Sequence, residues 1–287
     1  MSPDPALEPR PFTVAGDGHA IEGASTGPAD GAAVVLAHGL TATREVVVHG
    51  SRMLPRKGFR TIAFDARGHG DSDPAPEGGG YSFAELADDL RAVLDAEAAG
   101  RPAVLAGHSM GAHTLSALAL SEPERAAGLV LIGPAYDGSE PAEASLAYWD
   151  ALAAGLSTGG VEGFLAAYDR DLAPEWRETL LRIARQRLER HRHPDAVARA
   201  LREVPRSRPF GGLADLETLD VPALVVASHD EADPGHPYEV AAEWARRLPR
   251  GTLISEDPGE SPLAWQGGRL SREIAAFCET AEVAERL

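Results

Sequence analysis

Cysteine is nearly absent: the 287-residue chain holds one, Cys278. A single thiol excludes an internal disulfide, and it lacks the paired spacing that thiolate metal centres require. Cys278 therefore reads as a small buried hydrophobe in a terminal helix. Lysine is as scarce, with Lys57 standing alone. Positive charge is outnumbered throughout, 27 basic residues against 44 acidic ones giving −17, which repels phosphate backbones and anionic lipid surfaces. Neither nucleic acid nor membrane is expected as a partner. No apolar run approaches the roughly eighteen residues a membrane span needs. The opening MSPDPALEPR has neither a basic start nor an apolar block, so no secretory signal is expected and the location is read as cytoplasmic.

What is present is the composition of a globular protein, 44% hydrophobic and 25% charged, in a chain long enough for one large α/β domain with an insertion. Short, almost continuously apolar runs at 33–37, 60–64, 103–106, 128–132, 223–227 and 252–254 alternate with helical patterns. Strands buried on both faces have this appearance, so the expected fold is α/β, a mainly parallel doubly wound sheet. Segments 12–14 and 19–22 flank Gly16-Asp17-Gly18 and read as an antiparallel edge hairpin. Ser82 with Glu85 forms a capping box that opens a helix ending near Gly100, and a further helix is expected from Ser271 onward. Residues 138–212 contain no convincing strand and read as an inserted helical cap, leaving 1–137 and 213–287 as the core. The insertion carries eleven arginines and eleven carboxylates, so the whole net charge falls on the core. Within it Arg182, Arg185, Arg187, Arg190 and Arg192 alternate with acids and apolar residues, a solvated helix face rather than an anion site. Tyr148, Trp149, Phe164, Tyr168 and Trp176 are expected chiefly to pack the cap, with one or two at the entrance of an apolar pocket.

The chemistry centres on Gly107-His108-Ser109-Met110-Gly111, placed between an apolar strand and an apolar helical pattern. Small residues at 107 and 111 allow a turn tight enough to hold Ser109 in a strained backbone conformation with its hydroxyl facing outward. The Met110 amide, at the helix N-terminus, can then stabilise an oxyanion. His38-Gly39-Leu40-Thr41 follows one strand, and Phe64-Asp65-Ala66-Arg67-Gly68-His69-Gly70-Asp71-Ser72 follows the next.

With these three motifs in order, the chain resembles the α/β-hydrolase fold superfamily over almost its whole length. The resemblance implies Ser109 as nucleophile, Leu40 as second oxyanion donor, and His38 and His69 as structural loop residues. It also places an acid in Ser228-His229-Asp230-Glu231-Ala232-Asp233-Pro234-Gly235-His236, with Asp233 the best match and Asp230 the alternative. The pattern then breaks. The superfamily's histidine should follow the last strand, yet Glu260 stands at that place and no histidine occurs after His236.

A serine hydroxyl needs a base, and three sources are open. His236 lies three residues past Asp233 and serves if the loop folds suitably. His191 or His193 can reach the site from the cap. Glu260 can share a proton with Asp233. His113 reads as a packing residue beneath the sheet, and His108 as a frequent neighbour of the serine. The leading reading is a cofactor-independent, metal-free carboxylic-ester hydrolase acting on a small or medium apolar ester, amide or lactone. A lyase or isomerase using Glu260 and Asp233, and a catalytically silent ligand-binding protein, are the alternatives. The partner is a small-molecule substrate; the oligomeric state is open, a homodimer included.

Overall fold

The computed structural model describes residues 7–229, 233–257, 265 and 267–287. Chain order gives β1 (Arg10–Ala15), β2 (Ala20–Thr26), β3 (Ala33–Ala37), α1 (Met53–Arg56), β4 (Arg60–Phe64), α2 (Phe83–Glu97), β5 (Ala103–His108), α3 (Met110–Ser121) and β6 (Ala126–Ile132). There follow α4 (Glu143–Tyr168), α5 (Arg177–Leu188), α6 (Pro194–Glu203), β7 (Ala223–Val226), α7 (Tyr238–Arg247), β8 (Gly251–Ile254), α8 (Gly268–Cys278) and α9 (Ala281–Ala284). Each apolar run expected to be a strand is one, to within two residues. No helix among the described residues is long and apolar enough to cross a membrane.

The eight strands order as β1-β2-β4-β3-β5-β6-β7-β8. β1 and β2 form the edge hairpin, and β2 pairs antiparallel with β4. From β4 to β8 the pairing is parallel. Continuous apolarity has its reason in two covering layers. Val35, Leu105, Leu129 and Val225 face Leu90 of α2, Leu115 of α3 and Trp244 of α7. Val34, Val104, Val130 and Val226 face Leu54 of α1, Ile274 and Cys278 of α8 and Val283 of α9. Cys278 is thus a core residue, its thiol pushed up to about 12 by burial and by Glu279.

The order in which strands are added reverses at β3, which has β4 on one side and β5 on the other. At such a switch point the loops leaving two adjacent strands diverge and open a crevice. Here those loops carry His38-Gly39-Leu40 and Ser109.

Between β6 and β7 lie α4, α5 and α6, which share an apolar cluster of Leu152, Leu156, Phe164, Leu188, Val197 and Leu201. α4 is two helices folded across Gly160, whose φ of 59° and ψ of −147° break it. The halves close until Cβ atoms at Gly155 and Gly163 would lie 2.4 and 2.2 Å from the opposing backbone, so only glycine permits the hairpin. Tyr148, Trp149 and Tyr168 pack against the cluster, and so does Leu40 from the core. Trp176 is not in it.

Candidate active site

Ser109 follows β5 directly, and Met110 begins α3. The residue adopts φ 52°, ψ −115°, a region that costs a non-glycine residue about 1–3 kcal/mol. Its own amide anchors the turn, donating to the Ile132 carbonyl at 2.9 Å. The strain is held by backbone-to-backbone packing on both sides. A Cβ at Gly107 would lie 2.6 Å from the Gly111 carbonyl carbon, and one at Gly111 would lie 2.2 Å from the Ala37 carbonyl oxygen. Gly111→Ala is therefore expected to force β3 and α3 apart at a cost of about 3 kcal/mol, read as a lowered urea midpoint; a midpoint unchanged from wild type would contradict this packing. Ser109 Oγ makes no hydrogen bond to a described residue.

The loop after β3 is fixed by His38. Its Nδ1 lies 2.8 Å from the Gly39 carbonyl and its Nε2 accepts the Ala66 amide at 2.9 Å. Those partners require a neutral ring, in keeping with burial, which lowers its pKa. A Cβ at Gly39 would sit 3.4 Å from Ser109 Cβ, so the turn leading to Leu40 lies against the serine. Met110, as first residue of α3, has an amide with no intrahelical acceptor.

The segment after β4 is a brace. Asp65 accepts the amides of Arg44 and Asp71 at 2.7 and 3.0 Å and pairs with the Arg44 guanidinium. Ser72 Oγ donates to the Asp65 carbonyl at 2.7 Å. His69 is fully buried between His38 and His191, ring centroids 5.2 and 5.5 Å away. His191 Nδ1 accepts the Gly70 amide at 2.8 Å, and its Nε2 lies 3.0 Å from the Thr41 carbonyl. Burial brings its pKa to about 4. His191 thus fastens the helical segment to the core, and both of its nitrogens are occupied. His113 accepts the amides of Ala135 and Tyr136 at 3.0 and 3.1 Å, a role beneath the sheet like the one its sequence position suggests.

The arrangement beyond β7 is decided by a turn. Asp233-Pro234-Gly235-His236 closes with the His236 amide donating to the Asp233 carbonyl at 3.1 Å, proline occupying the second position where its fixed φ is favourable. A turn brings its first and fourth side chains together, and His236 Nδ1 stands 2.8 Å from Asp233 Oδ2. The His236 ring lies 4.9 Å from that of His108 and packs on Gly133, where a Cβ would be 3.4 Å from His236 Cβ. Gly133 adjoins Ile132, the acceptor of the Ser109 amide. Asp233 and His236 are thereby gathered against His108, the residue before the serine, and Gly133.

Burial opposes ionisation of Asp233, but the hydrogen bond from His236 and nearby positive charge outweigh it, and its carboxyl falls below the usual range. Burial and His236 hold His108 well below the usual imidazole range. Two clamps fix the loop. Glu256 is 3% exposed; it accepts from Ser228 Oγ at 2.5 Å, the His229 amide at 2.6 Å and Trp265 Nε1 at 2.9 Å. His229 stacks on Tyr238 at 4.0 Å. Glu256 is a positioning residue that sequence reasoning passed over; its only signal is an acid two residues past the last strand.

The model of the alpha/beta hydrolase fold matches residues 32–265. The chain belongs to the α/β-hydrolase family. Among relatives of this α/β hydrolase, a Variovorax paradoxus protein named, provisionally, carbamate hydrolase RutD is 35% identical over 208 residues, 72% of this chain and 76% of that one. The 2-hydroxy-6-oxononadienedioate/2-hydroxy-6-oxononatrienedioate hydrolase of Burkholderia vietnamiensis is 30% identical over 201 residues, 68% of each chain. A thermophilic esterase from Thermogutta terrifontis superposes with a TM-score of 0.73 at 23% identity, covering 94% of this chain and 97% of that one. At that identity the likeness concerns the fold.

Of the remaining site candidates in this α/β hydrolase, Glu260 and Asp230 lie outside the described residues. Donor atoms of His108, Asp233 and His236 lie within 4.8 Å of one another, so a divalent ion bound there would draw on the carboxylate and ring that otherwise bond each other. The arginines of α5 and its C-terminal turn do not behave as one solvated face. Arg185 pairs with Glu162 and Arg190 with Glu45 at the surface, whereas Arg187 is half-buried and holds no carboxylate among the described residues.

Proposed function

We propose that the chain is a serine hydrolase that cleaves a carboxylic ester or a related acyl bond, with Ser109 as nucleophile, His236 as base and Asp233 as its orienting acid. The observation that carries this reading is the 2.8 Å His236–Asp233 hydrogen bond formed against the strained serine turn. With Nδ1 donating to the carboxylate, the Nε2 lone pair is free to accept a proton. Ser109 Oγ attacks the acyl carbon as its proton passes to His236. The carbonyl oxygen becomes an oxyanion received by the Leu40 and Met110 amides. Collapse of the intermediate breaks the bond to the leaving alcohol, which takes the proton from His236. Water, activated by the same ring, then releases the acid from the acyl-enzyme. Hydrogen bonds between base and nucleophile are commonly long without substrate, so the reading requires only that His236 reach Oγ in the complex.

The helical segment 138–212 acts as a cap in this reading, because its apolar cluster packs on Leu40. The substrate is then a small or medium compound with an apolar acyl part. The test is labelling with a fluorophosphonate followed by peptide mapping. A single adduct on Ser109, absent in Ser109→Ala, is expected; a protein that takes no label while hydrolysing esters, or takes it elsewhere, refutes the assignment.

A further inference from the structure

His108, Asp233 and His236 bring two imidazoles and a carboxylate together from two separate places in the chain, the end of β5 and the turn beyond β7. Their donor atoms all lie within 4.8 Å of one another, and among the described residues no other trio of histidine, cysteine or carboxylate side chains is gathered in this way. Both arms are pinned. His108 is held in the β5–β6 ladder opposite Ile132. The turn is closed by the His236 amide on the Asp233 carbonyl at 3.1 Å, with His236 Nδ1 and Asp233 Oδ2 2.8 Å apart. The donor set is chemically specific: two imidazole nitrogens and one carboxylate oxygen suit a borderline ion such as Zn²⁺, and three protein ligands characterise exchangeable zinc sites rather than closed structural ones. Zinc holds such donors at about 2.0–2.2 Å, which sets them about 3.4 Å apart around it, so displacements of about 1 Å at the side-chain ends close the trio on an ion. The chain's net charge of −17 draws cations toward it.

We propose that His108, Asp233 and His236 form a zinc site that switches the hydrolase off. The site follows from the three side chains; the switching rests on the serine-hydrolase reading. In hydrolysis His236 keeps its proton on Nδ1, facing Asp233, and accepts the serine proton at Nε2. An ion held by Nε2 occupies that lone pair directly. An ion held by Nδ1 displaces the ring proton to Nε2 and draws the Asp233 carboxylate away from the ring. Either way the ring stays neutral, and the lone pair that must take the serine proton is gone. The third ligand borders the nucleophile: a Cβ at Gly39 would stand 2.9 Å from His108 Nδ1 and 3.4 Å from Ser109 Cβ. A triad without an imidazole at 108 would offer the ion only Asp233 and His236, and the ring of His108, 4.9 Å from that of His236, completes the set.

The test is calorimetric titration of the full chain with zinc chloride near neutral pH. One ion per chain is expected to bind at about micromolar concentration or below. Hydrolysis of p-nitrophenyl butyrate should fall in step with occupancy and return when a chelator removes the zinc. Mg²⁺, which prefers oxygen and water ligands, should leave the rate unchanged at the same concentrations. His108→Asn is expected to bind zinc at least about tenfold more weakly, since even an outer partner of a zinc ligand is worth that much, and its hydrolysis should need correspondingly more zinc for half inhibition. Asp233→Asn, read by calorimetry alone, should show a similar loss of affinity. Zinc affinity unchanged in both variants, or no binding below millimolar zinc in wild type, overturns the proposal. A measurement on the unaltered protein covers the case of a misfolded variant: Co²⁺ in place of zinc should show the strong visible absorption of a four- or five-coordinate ion, and the weak spectrum of the fully hydrated ion refutes the site. Zinc bound through His108 in a protein that cleaves no ester would uphold the site and refute the hydrolase reading. Ester cleavage indifferent to zinc would do the reverse.

Discussion

His236→Ala is expected to lower kcat on a p-nitrophenyl ester by about 10⁶-fold, and Asp233→Asn by about 10⁴-fold. The larger figure corresponds to about 8 kcal/mol of barrier. Without the imidazole the serine hydroxyl attacks with its proton still attached, and what survives is the contribution of binding and of the two amides. Added imidazole should restore part of the lost rate in His236→Ala and none in Ser109→Ala. The double variant should be no slower than either single one, because nucleophile and base act as a unit.

The rival in the same cluster is His108, whose ring touches that of His236. Burial and the neighbouring imidazole depress its basicity, and a weakly basic ring is a poor acceptor for a serine proton. His108→Asn should accordingly lose far less than His236→Ala. If His236→Ala stays within tenfold of wild type while His108→Asn collapses, the base has been misassigned.

The two histidines illustrate which parts of the site were legible in the chain. Gly107 and Gly111 are readable because only glycine survives contact with the backbone at 2.6 and 2.2 Å, so the motif states its own geometry. The strands are readable because burial on both faces leaves few positions for a polar side chain, and α2 because Ser82 and Glu85 complete its capping box. Asp233-Pro234-Gly235-His236 is a turn signature, but its orientation depends on Glu256 gripping residues 28 and 27 positions earlier, which no local pattern encodes. Likewise the reading of 138–212 as a helical cap does not locate the fold-back of α4 at Gly160, which brings Gly155 against Gly163.

The second large effect is on stability. Asp89→Ala is expected to cost about 3–5 kcal/mol, the usual penalty for leaving one partner of a buried ion pair alone. Asp89 lies on the inner face of α2 and is 2% exposed. It accepts from Arg67 Nε at 2.6 Å and from a terminal Arg67 nitrogen at 2.7 Å, a two-pronged pair inside the protein. The other Arg67 donors go to the Gly80 and Glu85 carbonyls at 3.1 and 3.0 Å. Without Asp89 the guanidinium stays buried with backbone carbonyls and one more distant carboxylate, Glu85 at 3.6 Å. Replacing both ends together, as Arg67→Met with Asp89→Leu, should recover most of the loss, since no charge then remains to be desolvated.

A third residue gives the same site a pH signature. His19 Nε2 stands 3.0 Å from Asp89 Oδ1, and Asp89 raises its pKa despite burial. A raised folded-state value means that this stabilisation is complete below the unfolded histidine range and fades as pH climbs through the folded value. Urea midpoints of wild type should therefore fall as pH rises above the ordinary histidine range, about 6.5, by an increment that Asp89→Ala removes. An increment that persists in the variant would locate its source in another group. The consequence extends to the site, because Arg67 follows Ala66, whose amide holds His38 at 2.9 Å. Loosening Arg67 loosens the loop that carries Leu40, so Asp89→Ala should lower kcat at temperatures where the fold is still intact. A kcat equal to wild type in the folded variant would show that the network stabilises the domain without reaching the oxyanion loop.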